Sequence, residues 1–235
     1  MEKLFVFLFA IGITATPVIA AQSSNDAAAT SRAMQAGIKV EMAVSNHAMA
    51  APDADDKGAW IVTVAGDGTL YFGLDPVTPE ELTNEMTSHP RERRQSLYIK
   101  ADARASFAEV QKVFDAAART DFERPVLLTS QPEPQARGIV APKGLEVWLG
   151  GSRSDAELSV VRLIPSLDSW PGLEVNHEQV PWPALREALG RVAQSRSNKA
   201  ILLQADGQLA YSQVVQAIDA CRAAELRVVL ATPSI

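Results

Sequence analysis

The sequence has few of the residues that build catalytic and metal sites: one cysteine, Cys221, and three histidines in 235 residues. A single cysteine excludes an intramolecular disulfide and a site made of several thiolate ligands. His47, His89 and His177 are widely separated, and none belongs to a recognisable ligand or catalytic set. We therefore predict a non-enzymatic protein with no catalytic residue, no metal site and no cofactor.

Positive charge is also scarce, with 22 Lys and Arg against 28 Asp and Glu and a net charge of -6. Nucleic-acid binding needs clustered basic residues that replace the counterions of phosphates, and the one arginine cluster, Arg91–Arg94, is too small for this. We therefore predict no nucleic-acid partner. The 47% hydrophobic and 21% charged residues are typical of an ordinary folded protein.

A long hydrophobic run occurs at the N-terminus. Residues 1–21 combine Lys3, an apolar stretch from Leu4, and small residues near Ala20, as in a secretory signal peptide. The alternative is an uncleaved N-terminal membrane anchor, because Leu4 to Ala21 is about long enough to span a bilayer. Either interpretation places the rest of the chain outside the cytoplasm.

Two stretches are predicted to be linkers. Residues 22–36 are small and polar and indicate a flexible tether, whereas residues 132–143 are rich in proline and indicate a stiff, extended connection. The tandem domains are therefore predicted at 37–131 and 144–235.

These two domains repeat one pattern. The stretch "ADARASFAEVQKVFD", residues 101–115, returns as "ADGQLAYSQVVQAID", residues 205–219. Each repeat is predicted to be α/β of the α+β type with the order β-β-α-β-α-β. An edge segment precedes each: "GIKVEM", 37–42, and "GLEVWL", 144–149, which could pair with each other, with their own sheets or with a partner.

Turn and cap residues predict individual elements of the first repeat. Gly66-Asp67-Gly68 indicates a hairpin turn, and Thr78 with Glu81 indicates a capping box at a helix start. A second capping box is predicted for Ser106 with Glu109.

The repeated stretch is predicted to be a structural corner between a strand and a helix. Phe107 and Tyr211 begin matching apolar stripes that face the core, and Cys221 lies in the second stripe as a small packing residue. Asp102 and Asp206 are predicted to accept hydrogen bonds from loose backbone N–H groups at the corner. Asp115 and Asp219 lie beside the stripes and are predicted to be solvated.

The order of "GIKVEM", "WIVTVAGDGTLYF", "LYIKADARASFAEVQKVFDAA" and "PVLLT" resembles the periplasmic domain of the ExbD/TolR biopolymer-transport family. The second repeat resembles it too, most closely in "LLQADGQLAYSQVVQAIDACRAAELRVVLATPSI". The resemblance implies, for each repeat, two helices on one face of a four-stranded sheet. It also implies a periplasmic location, or attachment to the inner membrane if the N-terminal helix is not cleaved.

Members of the family serve energy-coupling machines such as the TonB and Tol-Pal systems. The resemblance therefore implies a binding or scaffold role with ExbB/TolQ-type or TonB/TolA-type partners, and the tandem predicts a covalent pseudo-dimer. Motor subunits of the family carry a transmembrane aspartate, but Leu4 to Ala21 contains no ionisable residue, so proton-driven work is not expected.

The alternative function is a peptidoglycan-binding module, which TolR-like members suggest. Trp148, Trp170 and Trp182 are the candidate partner or glycan contacts, since tryptophan combines a broad apolar face with a polar N–H. Core or interface packing is the other interpretation of all three.

Overall fold

The computed structural model describes residues 38–56, 58–88, 96–131, 141–150, 158–195 and 198–231. The predicted signal peptide, the tether 22–36 and most of the linker 132–143 lie outside the described residues. In the part that is described, no helix has the length and hydrophobicity needed to cross a membrane. Both repeats belong to a single compact unit.

The first repeat contains two α-helices and most of a mixed sheet. Its elements are β1 (Met49–Ala50), β2 (Trp60–Val64), β3 (Leu70–Phe72), β4 (Asp75–Val77), α1 (Pro79–Ser88), β5 (Leu97–Ala101), α2 (Phe107–Arg119) and β6 (Val126–Thr129). A 3-10 helix, Pro52–Asp55, follows β1. The seven-stranded sheet has the order β1-β7-β6-β5-β2-β3-β4, in which β7 is Lys143–Glu146.

The second repeat has the same core order. Its elements are β8 (Trp148–Leu149), β9 (Ser159–Ile164), β10 (Gly172–Val175), β11 (Glu178–Gln179), a 3-10 helix (Trp182–Ala184), α3 (Leu185–Ser195), β12 (Ala200–Ala205), α4 (Tyr211–Ala223) and β13 (Arg227–Leu230). The six-stranded sheet has the order β11-β10-β9-β12-β13-β8.

The predicted fold class is confirmed, but the four-stranded sheets are extended. The common centre is a β-hairpin followed by two parallel strands, as β2 pairs with β5 and β9 pairs with β12. Short additional strands join at the edges, and β4 and β11 lengthen the two hairpins. Apart from the edge segment 144–149, these additional strands have two or three residues, which is too little apolar alternation for them to be predicted from the sequence.

The predictions made for individual turns, caps and edge segments are confirmed in some cases and not in others. Gly68 adopts φ +88 in the β2–β3 turn, where its missing Cβ avoids strain. The capping box at α1 is confirmed: Thr78 N donates to Glu81 Oε2 at 2.8 Å, and Glu81 N donates to Thr78 Oγ1 at 3.2 Å. In the described residues of the edge segment 37–42 no strand forms, and Met42 makes an isolated antiparallel bridge with Asp102 of its own repeat.

One hydrophobic core runs through both repeats. It includes Leu97 and Phe114 from the first and Leu203 and Ile218 from the second, all less than 2% exposed. A smaller cluster covers the other face of the first sheet, where Ala51 and Ala54 pack with apolar side chains of β2, β5 and β6. The predicted burial of Cys221 is confirmed, and burial raises the pKa of its thiol to about 12.

Candidate functional site: the junction of the repeats

The two repeated corners meet each other. Phe107 N donates to Leu209 O at 2.8 Å, and at the matching positions Tyr211 N donates to Ala105 O at 2.8 Å. A second matched pair joins Ala108 N to Gly207 O at 2.9 Å and Ser212 N to Ala103 O at 3.0 Å. An antiparallel bridge between Ser106 and Ala210 lies between them. The contact is therefore reciprocal, as across a two-fold axis.

These hydrogen bonds use N–H groups in the first turns of α2 and α4. Such groups have no acceptor inside their own helix, so each helix start is satisfied by the corner of the other repeat. The capping box predicted for Ser106 and Glu109 is wrong, because the Ser106 side chain makes no capping bond and Glu109 accepts from Lys112 Nζ at 2.7 Å. The same contact explains why Ala210, which has no polar side chain, stands at the start of α4.

The acids at the corner have unequal surroundings. Asp102 is 3% exposed and accepts from Arg104 Nε at 2.9 Å, Arg104 Nη2 at 3.0 Å and the backbone N–H groups of Arg104 and Glu41. The hydrogen bonds from Arg104 hold the pKa of Asp102 at about 2. Asp206 is exposed and accepts from Gln208 N at 2.8 Å. Neither carboxylate contacts an N–H group of the helix that follows it.

The aromatic residues of the corner lie in the shared core. Phe107 is 2% exposed and contacts Phe114 with ring centroids 6.2 Å apart. Tyr211 is fully buried, and its hydroxyl has no hydrogen-bond partner in the described part of the chain. Burial raises the pKa of Tyr211 well above its usual value.

A second junction forms around Asp219 on α4. Its carboxylate accepts hydrogen bonds from the Ser45 hydroxyl, from Asn46 N at 3.0 Å and from His47 N at 2.8 Å. The His47 ring contributes Nδ1 at 3.0 Å. Burial raises the pKa of Asp219, but the hydrogen bonds from Ser45 and His47 outweigh burial and keep the pKa below its usual value.

The prediction that Asp219 is solvated is therefore wrong, since the residue is 9% exposed. The cause is a loop of the first repeat, more than 170 positions earlier, and no local pattern reveals it. Asp115 holds the matching position on α2 and is half-buried, with Oδ1 buried and without a hydrogen-bond partner among the described residues. Burial raises the pKa of Asp115, and Arg119 opposes the rise.

The edge segment of the second repeat joins both sheets. Lys143–Glu146 pairs antiparallel with β6, whereas Trp148 and Leu149 pair parallel with Val229 and Leu230 of β13. The backbone bonds continue beyond β7, as Leu149 N donates to Glu123 O at 2.9 Å. Pairing with its own sheet, one of the predicted alternatives, is found for Trp148 and Leu149. The pairing of Lys143–Glu146 with the sheet of the first repeat was not predicted.

Trp148 lies close to two arginines at the seam, which is the segment Lys143–Leu149 that joins the two sheets. The guanidinium carbon of Arg124, from the first repeat, is 5.0 Å from the centroid of the indole, and that of Arg227, from β13, is 4.7 Å away. Such cation–π contacts each contribute about 0.5–1 kcal/mol when exposed and more when desolvated. The indole ring of Trp148 therefore makes its contacts with two arginines of the same chain.

Trp170 and Trp182 lie together on the second repeat. Their ring centroids are 5.3 Å apart at an interplanar angle of 50°. Trp182 is partly buried against the core, and its Nε1 donates to Pro171 O at 2.8 Å, whereas Trp170 is 48% exposed. We call this surface the tryptophan ridge.

Two grooves border the tryptophan ridge. The smaller, of about 300 Å³, is lined by Trp170, Trp182, Pro183, Leu185, Arg186, Gln216 and Ala220. The larger, of about 720 Å³, shares Trp170, Trp182 and Pro183 and adds the polar residues Ser166, Asp168, Glu174 and Gln179. Of the three predicted contact residues, Trp170 is therefore the one with a largely open ring.

Comparison with known families gives a match to both repeats. The family described as "Biopolymer transport protein ExbD/TolR" matches residues 27–132 and again residues 138–234. The search of curated proteins and the search of solved structures found no match. The two matched ranges cover most of the chain.

Proposed function

The chain belongs to the ExbD/TolR family, and from this premise we propose that its two repeats act as a covalent pseudo-dimer that scaffolds an envelope energy-coupling machine. Membership itself gives the broader role, a non-catalytic part in energy-coupled envelope transport. The pseudo-dimer and its place in the periplasm, in a TonB-type or Tol-Pal-type system, are the proposal.

The observation that carries the proposal is the reciprocal pairing of the two corners. Two pairs of backbone hydrogen bonds, at 2.8 Å for the inner pair, join matching positions of the repeats. A linker within one chain raises the effective concentration of the two domains, so such a contact forms without a second molecule. The continuous core adds apolar burial to the same junction.

Sedimentation of the chain lacking residues 1–21 tests the pseudo-dimer. We expect a compact monomer whose sedimentation coefficient does not change with concentration, because the dimer surface is used internally. A tight homodimer made of separate, non-touching domains would contradict the proposal.

Affinity purification from envelope extracts tests the scaffold role. We expect an ExbB/TolQ-type or a TonB/TolA-type protein to be recovered with the full chain. The peptidoglycan alternative predicts co-sedimentation with purified sacculi instead. Recovery with sacculi alone would replace the scaffold role with glycan binding.

A further inference from the structure

We propose that the tryptophan ridge is a binding site for a small quaternary ammonium cation of the choline type. The ligand class follows from an open aromatic face beside an unpaired carboxylate, both of which line the larger groove. This inference goes beyond the scaffold role and does not depend on it. The binding is a property of the second repeat and is measured on the purified chain.

The ridge has an aromatic face that is open to solvent and already in position. Trp170 is 48% exposed, and its ring is tilted by 50° against that of Trp182, with centroids 5.3 Å apart. The bond from Trp182 Nε1 to Pro171 O fixes the inner ring. Gln213 Nε2 donates to Ser169 O at 3.3 Å and ties the loop of Trp170 to α4. A surface that is ordered before binding loses little conformational entropy when a ligand arrives.

An open indole face attracts cations. The π-electrons give the face of the ring a partial negative charge, and tryptophan binds a cation better than tyrosine or phenylalanine does. Trp148 shows this preference within the chain, because two arginines lie over its ring. Among the described residues no cation lies over the ring of Trp170. Its open face is therefore free to receive a cation from solution.

The larger groove is acidic. The described residues that line it include Asp168 and Glu174 but no lysine, arginine or histidine. Glu174 Oε2 has Arg162 Nη1 at 3.5 Å, whereas Asp168 has no ion-pair partner in the described ranges. Arg186 lines the smaller groove, and its charge disfavours a cation there. A cation over Trp170 is therefore best placed in the larger groove, where its charge complements the carboxylate of Asp168.

A quaternary ammonium ion fits these surroundings better than a primary one. A lysine-type ammonium is strongly hydrated and brings three N–H donors that each need an acceptor. A quaternary ammonium has no N–H donor, and its methyl groups can pack on Val180, Pro181 and Pro183, which also line the groove. An anionic group beside the ammonium, as in phosphocholine, would be repelled by Asp168. Choline has the ammonium without that anion.

Nuclear magnetic resonance of the isotope-labelled chain tests the proposal. The four tryptophans each give an indole N–H signal. On titration with choline chloride, at an ionic strength held constant with sodium chloride, we expect saturable shifts of the Trp170 and Trp182 signals. Trp60 lies in the core and Trp148 lies at the seam, so their signals are internal controls that should not move.

The alcohol 3,3-dimethylbutan-1-ol, an uncharged isostere of choline, separates charge from shape. We expect it to bind about three- to thirtyfold more weakly than choline, because it keeps the apolar contacts and loses the attraction to the indole face. Phosphocholine should also bind more weakly than choline. Equal binding of choline and the alcohol, or binding of phosphocholine at least as tight as that of choline, would overturn the proposal.

Single substitutions locate the site, with the Trp182 signal as the readout. Trp170→Ala should weaken choline binding by at least about tenfold, because exposed aromatic anchors dominate such contacts. Leu167→Ala is the matched control, since Leu167 is fully exposed on the same loop, and should stay within about twofold. Asp168→Asn should weaken choline binding about two- to fivefold and leave binding of the alcohol unchanged.

Two further results would contradict the choline site. One is the absence of saturable shifts at Trp170 and Trp182, or equal effects of Trp170→Ala and Leu167→Ala. The other is a response of these two signals to chitotetraose but not to choline, which would assign the ridge to glycans. None of these measurements depends on sedimentation or on partner recovery, so this proposal and the scaffold role can fail separately.

Discussion

Two aspartates occupy the same position in the repeated helix but have different surroundings. Asp219 accepts four hydrogen bonds from the Ser45–His47 loop, whereas Asp115 has one buried oxygen with no partner among the described residues. The pKa of Asp219 is lowered and that of Asp115 is raised. Comparing the two positions therefore measures how much the contacts between Asp219 and the Ser45–His47 loop contribute to stability.

Replacing each aspartate by alanine should have different consequences for stability. Asp219→Ala leaves the buried Ser45 hydroxyl and the backbone N–H groups of Asn46 and His47 without their acceptor, so we expect the free energy of unfolding to fall by about 1–3 kcal/mol. Asp115→Ala removes a partly buried, unpaired carboxylate, so it should be neutral or slightly stabilising. Urea unfolding of both variants measures the difference, and equal losses would show that the Ser45–His47 contacts contribute little.

Asp102 should make stability depend on acid pH. Its pKa is about 2 in the folded chain against an ordinary 3.8, so the unfolded state binds a proton first as the pH falls. The stabilisation, about 1–2 kcal/mol, is therefore complete above about pH 4 and is lost as the pH falls towards 2. Comparing urea unfolding of wild type and Asp102→Asn across this range measures it. A constant difference at every pH would contradict the assignment.

At the scale of single residues, the sequence predicts those whose surroundings are local. Thr78 and Glu81 are three positions apart, and the capping box forms as predicted. Phe107, Tyr211 and Cys221 follow the helical period and are buried. Ser45 and His47 could not be predicted as partners of Asp219, because only the folded junction brings them together.

At the scale of elements, the segment from Lys143 to Leu149 joins the two sheets, and Gly144 lets it approach β6 closely. A Cβ at Gly144 would lie 2.5 Å from Val126 Cγ1 and 2.8 Å from Leu127 O. Because Leu127 O belongs to the backbone, the strands would have to separate to admit it. The seam therefore depends on a residue without a side chain.

Gly144→Ala should lower the free energy of unfolding by about 1–3 kcal/mol, as forced overpacking does. Gly172→Ala is the matched control in β10, where the nearest atom to a new Cβ is 3.6 Å away. That variant should be neutral or stabilised by up to about 1 kcal/mol, because alanine restricts the unfolded chain. Thermal unfolding compares them, and an equal effect would mean that β7 does not constrain the seam.

The long elements were predictable because each carries its own hydrophobic period. The two helices and the central strands of each repeat appear where the sequence predicts them. The pairing of the edge segments was not predictable. Their apolar alternation fits several partner strands, and which strand they pair with depends on the other repeat. Residues 37–42 and 144–149 carry similar patterns, yet among the described residues only the second is found in strands.

In the whole molecule, one chain supplies both halves of a reciprocal, dimer-like contact. Repetition in the sequence predicts two domains but not how they meet. The contact is made by the repeated corner itself, through Ser106 and Ala210. These residues are flanked by the bonds of Phe107 N and Tyr211 N, so they form a non-hydrogen-bonded antiparallel pair, whose Cα atoms are about 4.5 Å apart.

A disulfide between these positions tests whether the two corners pair within one chain. The distance suits a disulfide, and the native Cys221 is buried and does not compete. After mild oxidation of Ser106→Cys/Ala210→Cys, we expect an intramolecular bond in a monomer, seen as a loss of both new free thiols by mass spectrometry. The single variants, Ser106→Cys and Ala210→Cys, control for bonds between chains. A double variant that forms disulfide-linked dimers, or that keeps both thiols free, would show that the corners do not pair within one chain.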